Sequence, residues 1–144
     1  DDWFAWGNNY GYCPSGWHLP SQSEWELLID YMRIREEYTC DGSTSVAKAM
    51  VSDSGWASSD VECSPGYNQS ANNFSGLGLN PAGMAYLGAV EKIYYGQPFE
   101  RGEKAIYMAI GSLLIIQNNS SNITFVDVDT YPCYGFKIRC VKDN

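Results

Sequence analysis

The residues of this chain best equipped for chemistry are one histidine, His18, and five cysteines, Cys13, Cys40, Cys63, Cys133 and Cys140. A Ser-His-Asp triad or a two-histidine metal site would have to be built around His18, yet no Gly-x-Ser-x-Gly elbow or His-Glu-x-x-His helix accompanies it. His18 therefore reads as structural, a polar ring fixing a turn. The cysteines show no Cys-x-x-Cys metal spacing, and they sit among many Asn, Ser, Gly and Tyr residues. That usage points to disulfides in an oxidising compartment, with four cysteines paired and one left over. Cys133 and Cys140 are seven steps apart, an odd number, so along a strand their thiols would face opposite sides. Neither a catalytic residue nor a metal or cofactor is expected.

A second set of residues suits binding. Aromatic and amide side chains gather between residues 84 and 132, and the candidate ligand-binding residues are Tyr94, Tyr95, Gln97, Phe99, Asn118, Asn119, Asn122, Asp127, Asp129 and Tyr131. Tyrosine supplies contact area at low entropic cost, and small polar residues supply adaptable hydrogen bonds. Position by position, each ring could equally pack a strand; the concentration is what suggests a binding face.

The elements that must position these residues start at Ser21. Ser21 and Glu24 form a capping box, and Trp25, Leu28, Ile29 and Met32 then fall at i, i+3, i+4 and i+7, while Glu26, Asp30, Arg33 and Glu36 fall outside that stripe. The pattern predicts a helix from Ser21 to about Tyr38 and a shorter one near Thr44 to Ser52. Strands follow. Lys104 to Ile116 and Asn122 to Val128 are rich in β-branched and aromatic residues, with 117–122 as a turn between them. Gly135 to Val141 alternates again, as a closing strand. Two helices followed by antiparallel strands and long loops make the class α+β. Trp17, Trp25, Leu28, Met32, Trp56, Phe136 and Ile138 are the predicted core.

At 144 residues the chain is long enough for a single domain over 1–144 that buries roughly two thirds of its unfolded surface. Its formal net charge of −8 makes nucleic acid and anionic membrane surfaces poor partners. A glycan or a protein, or a cationic ligand, remains open. Apolar runs such as Leu113-Leu114-Ile115-Ile116 are far too short to span a bilayer, so the chain is not expected to be membrane-embedded. Beginning at Asp1 without a signal peptide, it reads as the C-terminal part of a longer surface protein.

The run Cys13-Pro14-Ser15-Gly16-Trp17-His18-Leu19-Pro20-Ser21, with Gly135-Phe136-Lys137-Ile138-Arg139-Cys140 at the far end, resembles the Fibrobacter succinogenes major paralogous domain, a family of bacterial extracytoplasmic modules. Val46-Ala47-Lys48-Ala49-Met50 leading to Ser54-Gly55-Trp56 is similar to its second helix, and Leu79-Asn80-Pro81-Ala82-Gly83 to its Leu-Pro-Ala-Gly turn. The family's usual N-terminal strands are missing, and 84–132 match loosely. Through this family the chain is also similar to the C-type-lectin-like fold of formylglycine-generating enzymes. The resemblance implies a disulfide-stapled C-type-lectin-like fold with a Cys13–Cys140 bridge. Cys40 and Cys63, in loops flanking the second helix, are then read as a pair with Cys133 free; Cys40–Cys133 and Cys63–Cys133 remain alternatives.

The same resemblance implies three functions to weigh. Formylglycine-generating enzymes bind copper through two cysteines near the terminal Arg-Cys, but they place four residues between those cysteines where this chain has six. Gln97-Pro98-Phe99-Glu100 is similar to the calcium triplets of C-type lectins, except that Phe99 cannot ligate. In lectin-like domains the segment before the closing strand forms loops on one face, here residues 84–132, and related proteins diversify that face by retroelements. The expectation is a non-catalytic, extracellular, cell-surface binding module of adhesin type, and the resemblance extends to a retroelement-diversified display face for its loops. A copper oxidase of the formylglycine type and a structural spacer are the alternatives.

Overall fold

The structure, a computed structural model, describes residues 12–87 and 98–144. Its first helix, α1 (Gln22–Arg33), starts as the capping box dictates. The Ser21 hydroxyl accepts from Glu24 N–H, and Glu24 accepts in turn from Ser21 N–H at 2.8 Å. Trp25, Ile29 and Met32 are buried and Leu28 is partly so. The helix is shorter than expected, stopping at Ile34; a separate 3-10 turn covers Glu36–Tyr38. The positions that would continue the buried stripe after Met32 are Arg35 and Glu36, so another turn would have nothing to bury. Helix α2 is a single turn, Ala47–Met50, shorter than the predicted span.

Among the described residues, eight short strands come in the order β1 (Trp17–His18), β2 (Met84–Tyr86), β3 (Pro98–Phe99), β4 (Lys104–Ala109), β5 (Ser112–Gln117), β6 (Ile123–Asp127), β7 (Tyr134–Gly135) and β8 (Val141–Lys142). They form three antiparallel sheets, β4-β5-β6, β3-β2-β7 and β1-β8. The apolar stretch from 104 to 116 is thus a hairpin rather than one strand. It turns at Ile110-Gly111, where Gly111 takes a φ of +74° that a side chain would resist.

This hairpin lies at the centre of the protein. Alternate side chains of β4 and β5 feed two cores: Ala105, Tyr107, Leu114 and Ile116 meet α1, α2, Trp56 and Leu79, while Ile106, Met108, Leu113 and Ile115 meet Met84 and Phe136. Both faces are covered, so the sequence reads apolar throughout instead of alternating. The closing segment is likewise subdivided. Tyr134–Gly135 pairs with β2, Lys137 bridges Tyr107 on β4, and Val141–Lys142 pairs with β1.

Trp17 departs from the expected core and is 45% exposed. Neighbouring side chains on a strand point to opposite faces. His18 turns toward α1, bonding Glu24, and therefore Trp17 turns outward. Of the other predicted core residues, Trp25, Met32, Trp56 and Phe136 are buried, and Leu28 and Ile138 pack partly buried against the cores.

Two disulfides staple this frame. Cys13–Cys140 joins the segment before β1 to the segment before β8, and Cys40–Cys63 joins the loop after α1 to the loop after α2; Cys133 is a free, exposed thiol. Among the described residues no helix is long and apolar enough to cross a membrane. The architecture is α+β with a predominance of strand, and its disulfides suit an oxidising environment outside the cytoplasm.

Candidate functional site

Residues 51–83 contain neither an α-helix nor a strand, only a 3-10 turn at Gln69–Ala71 and an isolated bridge between Val51 and Leu79. Polar staples hold this long connection. The Gln69 amide pairs with both backbone groups of Trp56, accepting from its N–H at 2.9 Å and donating to its C=O at 2.8 Å. The Asn72 amide donates to the carbonyls of Ser52 and Pro65, both at 3.0 Å. Lys48, on α2, donates to the carbonyls of Ser64, Tyr67 and Asn68. Partial burial lowers the pKa of its ammonium from the usual value, and the carbonyl dipoles take the place of the lost water.

Between these staples and the loop that leaves α1 lies an open groove of about 420 Å³. Its walls are the chain either side of the Cys40–Cys63 bridge, and Lys48 and Ala49 of α2 also line it. Three aromatic rings line it. Tyr38 and Phe74 meet edge to face at 5.8 Å, with Phe74 64% exposed, and Tyr67 is 40% exposed. Three carboxylates, Glu37, Asp41 and Glu62, complete the rim, and no hydrogen bond or ion pair among the described residues engages them. A concave surface of this size, lined by polar groups and part-exposed rings, is a candidate ligand seat.

The predicted ligand-binding residues do not converge there. Tyr94, Tyr95 and Gln97 lie outside the described residues. Phe99 and Tyr131 are half-buried against the second core; Phe99 stacks edge to face on Tyr134 at 5.8 Å and Tyr131 on Phe136 at 6.4 Å. Asn118 is a tie, receiving Gly66 N–H on its carbonyl at 2.8 Å and donating its amide to Ala57 C=O. Asn119 and Asn122 are exposed at the β5–β6 turn. Asp127 and Asp129 stand at the other end of β6, roughly 17 Å from Asn122 at strand rise. There the Asp127 carboxylate accepts from Asp129 N–H at 2.8 Å and starts a 3-10 turn. Among the described residues no three His, Cys, Asp or Glu side chains are grouped to hold a metal ion.

His18 is bonded on both ring nitrogens, Nε2 to Glu24 at 2.8 Å and Nδ1 to Asp143 at 2.6 Å. The Glu24 bond, then the Asp143 bond, raises its pKa above the usual value. Glu24 is lowered, first by Ser21 N–H and then by His18. The imidazole thus ties the chain's end to the start of α1. Cys140, the other residue weighed for chemistry, is held in the bridge to Cys13.

The family model of the Fibrobacter succinogenes major domain matches residues 2–142. The chain belongs to that family. The match takes in both cysteines of the long bridge and every residue lining the groove. No curated protein and no solved structure matches this member of the Fibrobacter succinogenes major domain family.

Sequence reasoning missed the groove. Its two walls carry similar signals, Glu37-Tyr38-Thr39-Cys40-Asp41 and Glu62-Cys63 followed by Tyr67, each an acidic and aromatic cluster beside a cysteine. Those signals mark one site only once Cys40 and Cys63 are paired, and three pairings were open.

Proposed function

We propose that this domain is a non-catalytic, extracellular ligand-binding module of a bacterial surface protein, C-type-lectin-like in fold and of adhesin type, with the groove at the Cys40–Cys63 bridge as its ligand seat. The observation that carries this reading is the groove itself, which presents the rings of Tyr67, 40% exposed, and Phe74, 64% exposed, to solvent. Exposed aromatic area in a concave, disulfide-braced frame contributes to an interface more than to the fold. The bridging of the chain's two ends through Cys13–Cys140 and β1-β8 supports the lectin-like frame. The copper-oxidase alternative needs a thiol at position 140, and that sulfur is bonded to Cys13.

The test is a panel of immobilised oligosaccharides and peptides probed with the wild-type domain and with a Tyr67→Ala, Phe74→Ala double variant. Loss of binding with an unchanged melting temperature is the expected outcome. Full-affinity binding by a stable variant would move the seat elsewhere. Copper-dependent oxygen uptake by the wild-type protein would overturn the non-catalytic reading.

A further inference from the structure

The groove has a charge as well as a shape. Its three carboxylates face one ammonium, that of Lys48, and this ammonium is already engaged by three main-chain carbonyls. The walls therefore carry three carboxylates against one ammonium, a negative balance next to the part-exposed rings of Tyr67 and Phe74, in a chain whose net charge is −8. An alkyl ammonium satisfies both features at once. Its methylene stem covers an aromatic face, its head is attracted to the ring quadrupole, and the same head reaches a carboxylate. An anionic ligand would be repelled, and a neutral sugar, though its hydroxyls can donate to the carboxylates, would leave their charge unbalanced.

Resting on the reading of the groove as the ligand seat, we infer that its occupant is an extended, lysine-bearing peptide segment of a partner protein, with lysine side chains laid across Tyr67 and Phe74 toward Glu37, Asp41 and Glu62. The groove volume admits a few side chains, not a folded domain. Binding of this kind weakens as salt screens the carboxylates.

The probe is a fluorescent lysine octapeptide, titrated at about 0.15 M salt against the whole domain, beside a neutral oligosaccharide and a glutamate octapeptide. A Glu37→Gln, Asp41→Asn, Glu62→Gln variant should bind the lysine peptide roughly tenfold more weakly. A Glu26→Gln, Asp30→Asn, Glu103→Gln variant, with the same charge removed from surfaces outside the groove, should change it less than about twofold. Equal weakening in both variants would show bulk attraction and overturn the inference. Should the groove variant unfold, carbodiimide cross-linking of the lysine peptide to the wild-type protein decides, since links must form at Glu37, Asp41 or Glu62. A neutral oligosaccharide that binds in place of the lysine peptide, and is lost on Tyr67→Ala with Phe74→Ala, would remove the lysine assignment while sparing the seat. Loss of neither probe in any groove variant would remove both.

Discussion

At the scale of single residues, His18 shows how one polar ring joins distant parts of the chain. Glu24 serves two partners, capping α1 through Ser21 and holding His18, while Asp143 takes the opposite ring nitrogen. The folded pKa of His18 lies above its ordinary 6.5, so its stabilising contribution is full below that value and is lost as pH rises through the raised pKa. Glu24 behaves oppositely: its contribution is present above 4.5 and is lost as pH falls through its lowered pKa. Thermal melts of wild type and His18→Asn over a pH series should therefore differ most in mildly acidic solution and converge at alkaline pH. A gap independent of pH would mean that the ring contributes by packing alone. The sequence placed His18 at a turn before the helix. It could not show Asp143, because 125 residues separate the partners.

At the scale of elements, local signals succeeded where the partner was local. The capping box and the stripe of α1 lie within a dozen residues, and both are present in the fold. The hairpin β4-β5 was harder, because burial on both faces erases the alternation that identifies a strand and leaves Gly111 as the only punctuation. The 51–83 connection was harder still, since its order comes from side-chain amides and one lysine rather than from a periodic ladder. One tight point in it is Gly66. A Cβ there would lie 2.3 Å from Ala57 C=O and 2.7 Å from Asn118 C=O, both backbone atoms. Gly66→Ala should consequently destabilise the protein by about 2 kcal/mol, as overpacking does, read from the urea midpoint. An unchanged midpoint would show that the connection yields without loss, and would weaken the view of the groove wall as braced.

For the whole molecule, Cys13–Cys140 spans 127 residues and closes nearly the entire chain. In the chain-entropy account a bridge of that reach stabilises by about 5 kcal/mol, so a Cys13→Ser, Cys140→Ser variant should melt far below wild type. A midpoint that stays in place would mean that the β1-β8 pairing and the His18 bonds already secure the ends. A thiol count on the non-reduced protein should find Cys133 alone, and a reactive Cys140 would revive a two-thiol site.

What the sequence determined by itself were features with short reach or a global sum. These are the helix cap, the apolar stripe of Trp25, Ile29 and Met32, the α+β class, the oxidising setting implied by five cysteines, and a charge unsuited to nucleic acid. The tertiary structure alone decided which way Trp17 faces, that Asn122 and Asp127 stand at opposite ends of one strand, and that Tyr38, Tyr67 and Phe74 meet around a groove. The physical reason is the same in each case. A helix start and its apolar stripe follow from capping and period, which neighbours in sequence encode, whereas the face of a two-residue strand and the walls of a groove depend on distant partners, brought together by a disulfide and by hydrogen bonds to main-chain carbonyls, which any residue type can supply.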